Sequence, residues 1–226
     1  METLVLPDGN ELSAVAFDMD GVVFDTESIY QAATIEALDH LGYPYGPELA
    51  ETMVGRTESQ CADLLRQAFG DAFPMDDFGL RYRFGRDALL GEEIPVNPYV
   101  PDTLERLRER RIPTALVTNG RRDVTVRRLA RAGLLEYFQV VVTSDDVDDP
   151  KPAPDVYLCA AARLSVRPRH AVALEDSMVG VRAATGAGFY TIRLGGYADP
   201  VGADAVGADA AAAARLFGLR VRDRIG

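Results

Sequence analysis

Two aspartates stand directly after a short apolar run near the start of the chain. Asp18 and Asp20 are two positions apart in "VAFDMDGVVFDTE", residues 15–27, and Asp25 and Glu27 close the same stretch. Carboxylates crowded together repel one another, and burying them is costly unless a cation or a proton compensates their charge. The stretch is therefore either a solvated turn or part of a site that holds a positive group.

Other residues that suit phosphate chemistry follow later apolar runs. Thr118 and Asn119 end one run, Lys151 follows the next, and Glu175 and Asp176 end a further one. Carboxylates are oxygen ligands that Mg²⁺ accepts, and a threonine with main-chain amides at a helix start can cradle phosphate oxygens. Lys151 is the only lysine of the chain and adds a positive charge. The set fits phosphoryl transfer.

The spacing of the first pair suits covalent catalysis. An aspartate such as Asp18 can attack phosphorus and form an aspartyl-phosphate. A second carboxylate two residues further on, here Asp20, can be the acid for the leaving oxygen and then the base for the incoming water. Gly21 would let the backbone turn sharply beside them.

The elements that would position these residues are short apolar runs rich in β-branched residues. Five such runs lie at residues 13–18, 112–118, 138–144, 170–176 and 189–194. Runs with little alternation predict strands buried on both faces, and helical patterns separate the later ones. This alternation predicts a Rossmann-like α/β fold, a parallel sheet with helices on both faces. The polar residues would then gather at the carboxyl edge of that sheet.

The interval between the first two predicted strands is much longer than one crossover helix needs. It has its own helical periodicity, which predicts an inserted α-helical cap subdomain at residues 29–93. The α/β core domain is then discontinuous and comprises residues 1–28 and 94–226. An insertion just beyond the carboxyl end of a strand is well placed to cover a site there.

The tail is of low complexity. It repeats "VGADA" at residues 201–205 and 206–210, and four alanines follow. Two short copies predict no architecture of their own. The segment "ADAAAAARLFGL" predicts a closing helix.

Composition narrows the classes of function and partner. The chain has 24 basic and 35 acidic residues and a net charge of −11, so we expect neither nucleic acid nor an anionic membrane as a partner. Two histidines argue against a histidine-rich zinc site. No segment has the pattern of a signal peptide or a membrane span, and two cysteines suit a reducing compartment, so we expect a cytoplasmic protein. A monomer is the default expectation.

Four motifs together resemble those of a known family. The segments "FDMDGVVFDTE", "LVTNG", "KPAPDVY" and "LEDSMVGVRAATGAGF" are similar to the signatures of the haloacid dehalogenase-like (HAD) hydrolase superfamily. They resemble the branch that includes the β-phosphoglucomutases and many small-molecule phosphatases, and the agreement in order and spacing covers nearly the whole chain. The resemblance implies a Mg²⁺-dependent phosphatase that hydrolyses a small phosphorylated metabolite, such as a sugar phosphate, through an aspartyl-phosphate.

The resemblance also implies roles for single residues. Asp18 would be the nucleophile and Asp20 the general acid and base. Thr118, Asn119 and Lys151 would bind the transferring phosphoryl group.

The metal ligands follow from the same resemblance. Asp18, the main-chain carbonyl of Asp20, and Asp176 would hold Mg²⁺. Glu175 would support the metal directly or through water.

Some positions depart from the mutase pattern. Tyr30 stands where β-phosphoglucomutases carry a histidine. Aligned on Gly55, Val54 and Glu58 stand where they carry a lysine and an arginine, and Arg56 offers only a partial substitute. These differences favour a hydrolase, and a phosphosugar mutase is the alternative. A non-enzymatic phospho-acceptor or binding protein is a more distant alternative, since receiver domains order their acidic residues differently.

Overall fold

The structure is a computed structural model, and it divides into two compact units. The first unit comprises Met1–Phe24 and Val96–Gly226, and the second comprises Asp25–Pro95. The described residues are 3–46, 49, 52–53, 58–91, 95–195, 202–216 and 218–220, with the backbone alone at 58–60 and 91.

A parallel sheet forms the centre of the first unit. In the described part of the chain it has six strands, in the order β3-β2-β1-β4-β5-β6. Their bounds are β1 Ala14–Phe17, β2 Thr114–Val117, β3 Val140–Val142, β4 Ala171–Glu175, β5 Tyr190–Leu194 and β6 Ala205–Gly207. All neighbouring pairs are parallel. The predicted α/β class is confirmed.

The strand order reverses between β1 and β4, because β2 and β3 lie on one side of β1 while β5 and β6 follow on the far side of β4. Phe17 aligns with Leu116 of β2 and with Leu174 of β4. The residues that end these three strands therefore leave the sheet at the same level. In open α/β sheets this reversal point is where ligands bind.

The sixth strand is a correction to the sequence analysis, which predicted five. β6 spans the junction of the two "VGADA" copies, a segment that predicted no architecture. The main-chain N–H of Asp204 donates to the carbonyl of Thr191 at 2.8 Å, and the Asp204 carboxylate accepts from the N–H of Thr191 at 2.7 Å. Pairing with β5, rather than a local apolar pattern, makes this short segment a strand.

The bounds of eight α-helices lie within the described residues. Their bounds are α1 Thr26–Leu41, α2 Glu58–Phe69, α3 Met75–Gly91, α4 Val100–Glu109, α5 Arg122–Arg131, α6 Asp155–Leu164, α7 Met178–Gly186 and α8 Ala210–Leu216. None of these helices is both long enough and apolar enough to cross a membrane. The alanine run forms α8, which confirms the predicted closing helix.

Small residues let two helices approach the sheet closely. α6 and α7 pack on the alanines of β1, β2 and β4, in a core that also contains Tyr157 and Phe189. The N-terminus of α7 is capped by Ser177, whose hydroxyl accepts from the N–H of Gly180 at 3.1 Å. These two helices therefore present their buried side chains beneath the carboxyl edge of the strands.

The second unit is helical and has its own aromatic core. Leu38 of α1 and Leu65 of α2 are fully buried, and they share a cluster with Phe73 and Phe78. The Asp25 carboxylate caps α1 by accepting from the N–H of Ser28 at 3.2 Å. The acidic residues that follow the aspartate pair therefore belong to the start of a helix, where anions suit the helix dipole.

Candidate active site

One ammonium group joins the ends of three strands in the first unit. Lys151 is buried, and its Nζ donates to Oδ1 of Asp18 at 2.6 Å and to Oε1 of Glu175 at 2.6 Å. Its third donor reaches the carbonyl of Val117 at 2.9 Å. An ammonium has three N–H donors, so all three are used. The lysine therefore ties together the carboxyl ends of β1, β2 and β4.

Three carboxylates surround this one cation. Asp18, Glu175 and Asp176 each offer an oxygen, and these oxygens lie within 4.8 Å of one another. Burial by itself would lower the pKa of Lys151, but the charges of Asp18 and Glu175 outweigh burial and raise it. The lysine therefore stays protonated, and its single charge compensates only one of the three carboxylates.

Burial and mutual repulsion raise the pKa values of two acids of the cluster. Burial, and then the charges of Asp18 and Glu175, raise the pKa of Asp176. Burial also raises the pKa of Glu175, with Lys151 opposing it and Asp18 reinforcing it. Buried carboxylates with raised pKa values take up a proton or a cation near neutral pH.

The donor set fits a divalent cation. Oε2 of Glu175 is buried and has no hydrogen-bond partner among the described residues. The groups available are carboxylate oxygens, which are the ligands that hard cations such as Mg²⁺ prefer. Asp18, Glu175 and Asp176 thus form an acidic cluster that could hold a metal ion.

Two glycines leave room for these carboxylates. Gly21 has a φ of 80°, and a Cβ there would collide with Oδ2 of Asp176. A Cβ at Gly180 would collide with both oxygens of Glu175. The sharp turn expected at Gly21 is therefore present, and the nearby Asp176 carboxylate gives a second reason for a glycine there. Gly180 was missed by the sequence analysis, although a glycine in the first turns of a helix is an unfavourable choice that needs a reason.

The side chain of Asp20 lies outside the cluster of three carboxylates. Its Oδ1 is buried without a hydrogen-bond partner in the described chain, and Nη1 of Arg128 lies 3.5 Å away, at an ion-pair distance. Burial, and then the charge of Asp18, raise the pKa of Asp20 to about 6, against the opposing charges of Arg128 and Lys151. Arg128 was also missed, because it belongs to a basic helix that its charge pattern predicts to be solvated.

The loop after β2 holds Lys151 in place through the side chain of Asn119. The amide of Asn119 donates from Nδ2 to the carbonyl of Lys151 at 3.0 Å, and its Oδ1 accepts from the N–H of Lys151 at 2.9 Å. Thr118 is buried, and its hydroxyl accepts from the N–H of Gly120 at 3.0 Å. The Asn119 side chain is thus engaged with Lys151, so a contact with phosphate would have to come from its main-chain N–H.

One fully buried residue of the site received no role from the sequence. The hydroxyl of Tyr157 donates to Oε1 of Glu175 at 2.6 Å. Burial, and then the charge of Glu175, raise the pKa of Tyr157, so it stays a donor. Its only signal in the sequence is its place at the end of "KPAPDVY".

The second unit contains a cavity of about 620 Å³. It is lined by residues that include Tyr30, Tyr45, Arg66, Tyr82 and Arg83. Val54, Gly55 and Arg56 lie outside the described residues, as does the side chain of Glu58. Of the departures from the mutase pattern, Tyr30 alone therefore has a described environment.

Comparison with known proteins identifies the family. The chain has an α/β fold in which a lysine set among carboxylates lies at the reversal point of a parallel sheet. A model of the haloacid dehalogenase-like hydrolases matches residues 12–188, so the chain belongs to this family. The resemblance carried by the four motifs is confirmed.

Individual relatives agree with this assignment. The chain is 35% identical over 181 residues to a phosphorylated carbohydrates phosphatase of Thermotoga maritima, covering 80% of this chain and 84% of the relative. It is 32% identical over 179 residues to the fructose-1-phosphate phosphatase YqaB of Escherichia coli, covering 78% and 93%. The crystal structure of a HAD-family hydrolase of Deinococcus radiodurans, with bound phosphate and sodium, has a TM-score of 0.74 at 27% identity and covers 93% of this chain and 99% of that one.

Proposed function

We propose that this protein is a Mg²⁺-dependent phosphatase that hydrolyses a small phosphomonoester, of the sugar-phosphate type, through an aspartyl-phosphate on Asp18. The observation that carries the proposal is the bond between Lys151 Nζ and Asp18 Oδ1 within a cluster of three carboxylates. A carboxylate held at the reversal point of the sheet, where ligands bind in open α/β sheets, supports Asp18 as the nucleophile. The relatives named above as phosphatases support the reaction class.

The proposed reaction has two steps. The Asp18 carboxylate attacks phosphorus, the bond to the leaving oxygen breaks, and the carboxyl group of Asp20 gives that oxygen its proton. Asp20 then takes a proton from water, the water oxygen bonds to phosphorus, and the bond to Asp18 breaks. Inorganic phosphate leaves and Asp18 is regenerated.

The other predicted site residues would bind the phosphoryl group or the metal, or would compensate negative charge. Thr118 and the main-chain N–H groups after β2 would hold phosphoryl oxygens near the start of α5. Mg²⁺, held by Asp18, the main-chain carbonyl of Asp20, Asp176 and Glu175, would supply positive charge to the phosphoryl group. Lys151 would fix Asp18 and add a second positive charge.

The hydrolase is preferred to the mutase because Tyr30 takes the place of the histidine in the mutase pattern.

A cytoplasmic location and a monomeric state stay predictions. Both described cysteines, Cys61 and Cys159, are thiols, which suits a reducing compartment.

Phosphate release from a panel of phosphorylated metabolites tests the proposal. The purified protein with Mg²⁺ should release phosphate from sugar phosphates or related monoesters, EDTA should stop the release, and added Mg²⁺ should restore it. Acid-quenched wild-type protein should carry one phosphoryl group that is absent in Asp18→Asn. Full activity in Asp18→Asn would overturn the nucleophile. Interconversion of sugar phosphates that needs a bisphosphate activator, with little phosphate release, would instead show the mutase.

A further inference from the structure

The hydroxyl of Tyr157 reaches the acidic cluster from inside the core. Tyr157 lies on α6, and its ring packs edge-on against Phe189 with centroids 5.2 Å apart. Its hydroxyl and Nζ of Lys151 both donate to the same oxygen, Oε1 of Glu175, each at 2.6 Å. A carboxylate of the cluster thus has two donors on one oxygen.

Packing alone does not explain the hydroxyl. The ring is surrounded by an apolar core of alanines, valines and Phe189, in which a phenylalanine would fill nearly the same space. Burying a hydroxyl in such surroundings costs free energy unless it is bonded. The bond it makes is to the carboxylate of Glu175 and not to a main-chain carbonyl.

Lys151 cannot orient Glu175 alone. Its ammonium is shared with Asp18 and the carbonyl of Val117, so a movement of any one partner would move the bond to Glu175. A second donor, on α6 rather than in the turn that holds Lys151, restrains the rotation of the carboxylate. The other oxygen, Oε2, then remains without a hydrogen-bond partner in the described structure.

We infer that Tyr157 is a positioning residue for the cation site, which holds the Glu175 carboxylate in one orientation so that Oε2 stays available to a divalent cation or its water. The inference rests on the proposed function, because it takes the acidic cluster to be the Mg²⁺ site. Partners that hydrogen-bond a metal ligand typically contribute about 10- to 100-fold to metal affinity or activity.

The test is Mg²⁺ binding to the full-length protein by titration calorimetry, without substrate and after removal of metal by EDTA. Tyr157→Phe removes the hydroxyl and keeps the ring, and its Kd for Mg²⁺ should rise by about tenfold. The matched control is Tyr137→Phe, which removes a hydroxyl that donates to Glu105 at 3.1 Å in the same unit. Tyr137→Phe should leave the Kd unchanged.

A packing variant separates the hydroxyl from the ring. Phe189→Leu loosens the contact with the Tyr157 ring but keeps the hydroxyl, so it should lower the melting temperature and leave the Kd for Mg²⁺ unchanged. An unchanged Kd in folded Tyr157→Phe would overturn the inference. If Tyr157→Phe does not fold, a tenfold loss of affinity in Phe189→Leu would overturn it as well, because packing would then set the affinity.

The outcome is separable from that of the proposed function. A protein whose Mg²⁺ affinity depends on the Tyr157 hydroxyl, but which releases no phosphate from any monoester, would overturn the phosphatase and keep this inference. An active phosphatase whose Tyr157→Phe variant binds Mg²⁺ with native affinity would keep the phosphatase and overturn this inference.

Discussion

Nζ of Lys151 lies 2.6 Å from Oδ1 of Asp18, although the two residues are 133 positions apart in the chain. The contact exists because β1 lies beside β2 and β4, and because the loop after β2 binds the main chain of Lys151. The only lysine of the chain therefore forms its side-chain ion pairs with carboxylates of the site.

Lys151→Met should destabilise the protein at neutral pH. It leaves the buried carboxylates of Asp18 and Glu175 without their cation, and removing one partner of a buried ion pair costs about 3–5 kcal/mol. Urea unfolding in EDTA measures the loss. Arg121→Met is the control, since that side chain is 75% exposed and its ion pair with Asp123 contributes little. A loss at Lys151 no larger than that at Arg121 would contradict the described network.

Asp20→Asn should separate catalysis from metal binding. The side chain of Asp20 lies outside the carboxylate cluster, so the Kd for Mg²⁺ should stay close to that of the wild type. Removing a general acid and base typically lowers the rate by about 10²- to 10⁴-fold. Phosphate release and calorimetry on the same sample measure both quantities. A large loss of Mg²⁺ affinity would show that the Asp20 side chain is a ligand.

Asn119→Ala should lower both activity and stability. The variant loses two hydrogen bonds to the main chain of Lys151, each worth about 0.5–1.5 kcal/mol net, and the ammonium loses its support. We expect a lower kcat with a lower melting temperature. Asn10→Ala removes an exposed amide that bonds Asp8 and should change neither. Native kcat in Asn119→Ala would mean that the Lys151 segment is held by other contacts.

Gly180→Ala and Gly186→Ala should have opposite effects within the same helix. A Cβ at Gly180 would collide with the Glu175 carboxylate, and overpacking a buried site costs about 1–3 kcal/mol. A Cβ at Gly186 would only contact the Cβ of Pro154 at 3.7 Å. The helix preference for alanine should then stabilise Gly186→Ala by up to about 1 kcal/mol. Thermal and urea unfolding measure the stability of both variants. Equal effects of the two substitutions would refute the steric account of Gly180.

Asp146 should make stability depend on pH below the neutral range. Burial by itself would raise the pKa of Asp146, but hydrogen bonds from Arg163, Thr143 and Arg122 outweigh it and lower the pKa well below its usual value. A lowered native pKa means stability that is present above the unfolded pKa, near 4, and lost as pH falls towards the native value.

The variant Asp146→Asn tests this contribution. It should be less stable than the wild type by about 2 kcal/mol at pH 7, and the difference should shrink as pH falls below about 4. Urea unfolding at a series of pH values measures the difference. A gap that stays constant from pH 7 to pH 3 would show that the carboxylate charge is not responsible.

Local patterns in the sequence were enough for the class of fold and for the type of chemistry. The apolar runs before Asp18 and Glu175 predicted buried strands, because burial on both faces leaves a visible composition. The order of polar residues after those runs predicted a phosphate-handling edge. The edge strand β6 was not predictable in this way, because main-chain pairing with β5 forms it.

Contacts across the sheet were decided by tertiary structure. Nothing near Tyr157 in the sequence shows that its hydroxyl bonds Glu175. Nothing near Gly180 shows that a carboxylate occupies the space where a Cβ would lie. Such partners depend on the order and register of strands, which bring distant residues together and leave no local periodicity. The sequence by itself thus determined which residue types would meet at the carboxyl edge, and the packing of α6 and α7 on the sheet decided which atoms touch.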